Sequence, residues 1–144
     1  MSAFPFALLL ASILAFPAGG TAQCSAGAYG QGCGPTATAS IVDHGSTHRI
    51  ELAVHNAAPR VQVIMVIGTQ QLNVPIPGTN CLLLTDFVFH QVHRTDGNGE
   101  YSFSKAIPRF SPGPPTYAQF LEVTFDQQNN LVLRSTNGVS LVCN

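Results

Sequence analysis

Tryptophan is absent, lysine occurs once, at Lys105, and charged residues make up 9% of the 144-residue chain. Ordinary soluble domains carry roughly 25% charged residues, so this surface has to be wetted by Gln, Asn, Ser and Thr. Six Lys and Arg stand against seven Asp and Glu, a net charge of -1. That balance argues against nucleic acid and against polybasic membrane contact, because both draw their affinity from clustered cations. Weak charge repulsion also leaves self-association unopposed. The missing tryptophan takes away the largest ring on which a sugar face could stack.

Catalytic motifs are as scarce as charge. The chain has no G-x-S-x-G elbow and no H-E-x-x-H helix. Gly27 to Gly34 is glycine-rich, but it sits beside two cysteines and precedes a strand, whereas a phosphate site needs a helix N-terminus. Glu51, Asp86, Glu122 and Asp126 are the acids outside the obvious turns, and no spacing joins them into the two facing carboxylates of acid–base chemistry. His90 and His93 are three apart on a predicted strand and therefore point to opposite faces. His44 and His48 flank the Gly45-Ser46 turn without a thiolate or carboxylate to complete a metal site. The histidines are thus expected as solvated turn and edge residues. Asp96-Gly97-Asn98-Gly99-Glu100 alternates oxygen ligands as a calcium loop does, yet lacks the further carboxylates, and reads as a Gly-rich hairpin turn. The expectation is a chain without metal, cofactor or catalytic centre.

What is present begins with Phe4 to Phe16, an apolar run followed by Pro17 and the small residues Gly20-Thr21-Ala22. This reads as a secretory signal over residues 1–22, cleaved after Ala22, although only the α-amino group supplies positive charge ahead of it. The run is shorter than the roughly 20 residues that span a bilayer, so no membrane span is expected in the mature chain. Gln23 stands where a lipoprotein signal places a small residue, so Cys24 is read as a disulfide partner. Cys24, Cys33, Cys81 and Cys143 then form an even set delivered to an oxidising compartment. Four cysteines permit three pairings, and the sequence does not choose among them. Residues 23–144 have the size of one domain.

The punctuation is that of an all-β protein, an antiparallel sandwich of immunoglobulin-like or jelly-roll-like kind. Thr47 to Asn56 places Ile50, Leu52 and Val54 on one face of a half-buried strand. Arg60 to Ile67 is apolar on both faces apart from Gln62, as a central strand under cover would be. Cys81 to Arg94 is too long for one strand and is expected to break or bulge near Thr85-Asp86. Tyr101, Phe103 and Ile107 mark an inward face opposite Ser102, Ser104 and Ala106. Tyr117 to Asp126 and Leu131 to Ser135 are joined through Gln127 to Asn130 as a hairpin, since Asn tolerates positive φ, and Val139 to Cys143 forms the last strand. Pro108 to Pro115 is a stiff loop crossing between sheets, or a rim presenting Phe110.

The order Tyr29-Gly30-Gln31-Gly32-Cys33-Gly34, His55-Asn56-Ala57-Ala58-Pro59, Pro75-Ile76-Pro77-Gly78 and Cys81-Leu82-Leu83-Leu84 resembles a secreted module abundant in uncharacterised proteins of planctomycete-type bacteria. The likeness continues through Thr95 to Gly99, Ala106-Ile107-Pro108, Tyr117-Ala118-Gln119 and Ser135 to Gly138. Gly34 stands before Pro35 where the module usually has proline directly after its first cysteine, and Phe120 stands where it often has tryptophan. The resemblance implies a β-sandwich with Cys33 paired to Cys81, leaving Cys24 for Cys143, and implies no activity.

The functional expectation is a secreted, non-catalytic module at the cell surface that contacts glycans or neighbouring extracellular domains. Tyr29, Tyr101 and Phe110 are the candidate binding aromatics. Tyr101 has a competing reading as a core ring, and Gln119 is read as a hydrogen-bonding partner of buried backbone. A self-assembling subunit of an extracellular layer is the alternative, and a hydrolase of unknown class comes third.

Overall fold

In the computed structural model, residues 23–108 and 113–144 are described; residues 1–22, the expected leader, and 109–112, which include Phe110, lie outside the described residues. The described chain is all strand and turn: β1 (Cys24–Tyr29), β2 (Thr36–Asp43), β3 (Thr47–His55), β4 (Gln62–Gly68), β5 (Gln71–Pro75), β6 (Leu82–Thr85), β7 (Phe89–Arg94), β8 (Tyr101–Pro108), β9 (Thr116–Phe125), β10 (Leu131–Ser135) and β11 (Gly138–Cys143). A long sheet runs β1-β11-β9-β4-β7, with β10 pairing the far half of β9. A three-stranded sheet runs β2-β3-β8, and β5 pairs β6 alone. Every pairing is antiparallel.

The core lies between the two large sheets, where period-2 alternation delivers one side chain in two to the same face. Val63 and Met65 of β4, Ala118 and Phe120 of β9 and Val139 of β11 meet Ala37 of β2 and Leu52 and Val54 of β3. Ile50, Ile67, Tyr101, Phe103 and Leu141 pack against them. The inward faces expected for β3 and β8 are the observed ones. The expected break near Asp86 separates β6 from β7, and Asn129 adopts φ 63° in the β9–β10 hairpin.

Two expectations change. Asp96 to Glu100 forms a turn, but not a hairpin, because β7 belongs to the long sheet and β8 to the three-stranded one, so this turn steps across the sandwich. His48 is not a solvated turn residue: it is 2% exposed, because it lies two positions before Ile50 and so shares its core-facing register.

The long sheet is apolar on its outer side too. Val66 is fully buried there and Leu121 nearly so, under β6. β6 has a strand partner on one side only, and side chains hold the rest of it. Gln119 Oε1 accepts from Leu84 N–H at 3.0 Å, and Gln119 Nε2 donates to the carbonyls of Leu82 and Thr136, both at 2.9 Å. Ser135 Oγ donates to Leu82 O at 3.1 Å, and Tyr29 Oη to Leu84 O at 2.8 Å. The Cys33–Cys81 disulfide ties this roof to the β1–β2 link. Cys24–Cys143 joins the first and last strands at facing positions of one ladder.

Candidate functional site

Every expected site residue except Phe110 has a definite place. All four cysteines are paired as the resemblance implies. Tyr29 lies on the outer side of the long sheet with its ring edge against Tyr117, centroids 5.6 Å apart. Burial, and then Tyr117, push its hydroxyl up to about 12. It faces Gly138 across the β1–β11 ladder, and a side chain at 138 would collide with the ring. Tyr29 therefore serves the roof. Tyr101 stacks on His93 with centroids 4.2 Å apart and planes 16° apart, closing one end of the gap between β7 and β8. Burial raises the Tyr101 hydroxyl and lowers the His93 imidazole. Phe110 lies outside the described residues.

Asp86, Asp96, Asp126 and Glu122 are engaged by the fold. Asp86 accepts from the N–H groups of Thr69 and Gln70 at 2.8 and 2.9 Å, and Asp126 from those of Asn130 and Gln128 at 2.8 and 2.9 Å. These backbone donors hold both carboxyls below the usual aspartate range. Asp96 caps its own turn, accepting from Asn98 and Glu100 N–H, so the residues that resemble a calcium loop turn one carboxylate onto their own backbone. Glu122 is fully buried, receives Arg134 through two bonds of 2.6 and 2.9 Å, and accepts from Ala58 N–H at 2.6 Å. That partner keeps the Arg134 guanidinium above its ordinary value. His90 turns toward Phe87 and His93 toward Tyr101, on the two sides of β7 as their spacing requires. Among the described residues, no three His, Cys, Asp or Glu side chains gather as metal ligands.

Several large apolar residues also face water. Phe87, Val88, Phe89 and Val92 are 51%, 63%, 48% and 56% exposed along the β6–β7 link and β7. β7 pairs only with β4, in continuous register from Phe89 to Arg94, and carries no lysine, proline or bulge. Those are the devices that commonly guard a free edge. Sequence reasoning passed over this ridge. Its signal was the run Phe87-Val88-Phe89, which cannot put all three side chains on one buried face.

Two hollows flank it. A shallow one of about 640 Å³ gathers Arg60, Arg94 and Arg134, three of the six cationic residues, beside Phe125, which is 63% exposed. A deeper one of about 630 Å³ opens between the sheets and is walled by Ile50, Leu52, Ile67, Phe103 and Leu141, with Phe89 and Lys105 among its lining residues.

No helix among the described residues is long and apolar enough to cross a membrane. The chain is an all-β protein with two disulfides and a sandwiched core, and no family model, curated protein or solved structure matches it.

Proposed function

We propose that the protein is an extracellular, non-catalytic module that docks a neighbouring protein along the ridge of Phe87, Val88, Phe89 and Val92. The observation that carries this reading is an edge strand with a half-exposed apolar side chain on each of its faces, Phe89 toward the gap between the sheets and Val92 on the outer side, continued by exposed Phe87 and Val88 on the link before it. Exposed apolar patches of this kind mark interaction surfaces, and a free edge accepts an added strand through main-chain bonds while flanking side chains set the choice of partner. The acids described above are engaged by backbone or arginine, which supports binding over catalysis. Two disulfides and the leader-like residues 1–22 support export, as does the resemblance to the secreted planctomycete-type module.

The alternative, a self-assembling subunit, uses the same edge with a second copy as the partner. Glycan contact finds its support at Phe125 beside Arg60 and Arg94, where an exposed ring and cations suit an acidic sugar.

Co-sedimentation of the oxidised protein with cell-envelope and polysaccharide preparations separates the three. Pelleting that is lost when the envelope is treated with protease, and lost again in Phe87→Ser/Val92→Thr, is the expected result. Pelleting with protein-free polysaccharide that survives this double substitution favours the glycan reading, and ordered particles of the protein alone favour assembly. A protein that stays soluble in every mixture defeats the proposal.

A further inference from the structure

The ridge does not account for the gap between the sheets. At one end His93 and Tyr101 close it by stacking; toward the other end it widens into the cavity of about 630 Å³. That volume lies within the range of about 300–1,000 Å³ typical of small-molecule sites. Its walls are mainly the hydrocarbon of Ile50, Leu52, Ile67, Phe103, Ile107 and Leu141, with Gln91 and Thr116 as uncharged polar members of the lining. Water in such a space finds few polar partners, whereas an alkyl chain would replace it favourably.

One charge interrupts this apolar lining. Lys105 occupies the same alternating face of β8 as Tyr101 and Phe103, so its register is core-facing, yet it stays exposed at the mouth beside Phe89 and Gln91. It is the only lysine in the chain. Among the described residues, no carboxylate lies within ion-pair distance of it. An inward lysine on an edge strand also discourages edge pairing, and that role would not require an open apolar cavity behind it.

We infer that this cavity binds a long-chain carboxylate, a fatty-acid-like amphiphile whose hydrocarbon tail lies between the sheets and whose anionic head meets Lys105 Nζ at the mouth. The charge complementarity selects the head: a single ammonium at the rim of a space whose other lining residues are uncharged and mainly apolar favours one negative charge and a neutral tail. The cavity is distinct from the docking ridge except at Phe89, which borders both, so either can fail without the other.

The test is a fluorescence titration of the oxidised protein with cis-parinarate below its micelle concentration, followed by displacement with palmitate and with hexadecanol. The expected result is saturable enhancement, reversed by palmitate. Lys105→Gln should weaken palmitate about tenfold, the loss of one charge-assisted contact, and leave hexadecanol within about twofold. Leu141→Trp should block all three ligands by filling the space; if that variant does not fold, Ile107→Trp on the edge strand replaces it. Absence of binding overturns the inference, as does palmitate affinity indifferent to Lys105→Gln or binding that survives the tryptophan. Enhancement that emerges only in Phe110→Ala would mean the chain fills its own cavity, and would overturn it as well.

Discussion

The outer face of the three-stranded sheet meets water directly, and its strands record this in every second residue: Thr36, Thr38 and Ser40 on β2, Arg49 and Glu51 on β3, Ser102 and Ser104 on β8. The outer face of the long sheet instead carries Val66, Gln119 and Leu121 beneath β6. The first face is satisfied by solvent and by small local contacts such as Arg49 Nε donating to Ser104 Oγ at 2.8 Å. The second depends on one buried amide, a tyrosine and a serine hydroxyl and one disulfide to keep a backbone segment in place. A sheet face can therefore be finished by polarity or by a roof, and only the roofed face concentrates its stability in a few named groups.

The largest way to break this contrast is to cut the staple. Replacing Cys33 and Cys81 by alanine releases a 48-residue separation and should cost about 4 kcal/mol, read as a fall in the urea midpoint with increased binding of an apolar dye. A midpoint unchanged from the oxidised protein would mean that the roof stands without its disulfide. Next, Gln119→Leu keeps the volume but leaves Leu84 N–H and Leu82 O without that partner; about 3 kcal/mol should be lost in chemical denaturation.

Tyr29→Phe removes a single hydroxyl bond and should cost about 1 kcal/mol near neutral pH. It also changes the alkaline limb. A tyrosine raised from 10.0 to about 12 contributes stability that is whole below pH 10 and is lost as the pH rises through about 12, since the unfolded chain ionises first. Wild type should therefore lose stability over that window faster than Tyr29→Phe, and parallel curves would remove the hydroxyl from the account. The smallest effect belongs to the bare face: Ser102→Ala with Ser104→Ala should shift stability by less than about 0.5 kcal/mol. A shift as large as that of Gln119→Leu would erase the distinction between the faces.

Much of this was legible in the chain. The bare sheet was the easier half, because Thr47 to His55 alternates and Tyr101 to Ile107 does so apart from Lys105. The need for cover over β4 was legible too, in the double-sided apolar run from Val63 to Ile67. The identity of the cover was not, because β6 is held to the long sheet through the side chains of Gln119 on β9, Ser135 on β10 and Tyr29 on β1, partners at sequence distances that no periodicity encodes. β1 escaped notice because Ser25 to Ala28 are small and carry no alternating hydrophobic face. The site was less legible than the fold. Tyr29 was singled out as a ring, and its hydroxyl bond to Leu84 O had no signal in the chain, while the edge position of Phe87 to Val92 and the register of Lys105 are assigned only by the three-dimensional arrangement.

The joined ends have a mechanical consequence. Gln23 and Asn144 exchange backbone hydrogen bonds at 2.9 Å each, and the next residues inward are covalently linked. A pull applied through the two ends of the oxidised domain runs across the Cys24–Cys143 bond, and the chain between those cysteines bears none of the load. In a string of such units under tension, each would behave as an inextensible link of fixed length, and its exposed β7 edge would keep its shape at forces that unravel an unlinked sandwich.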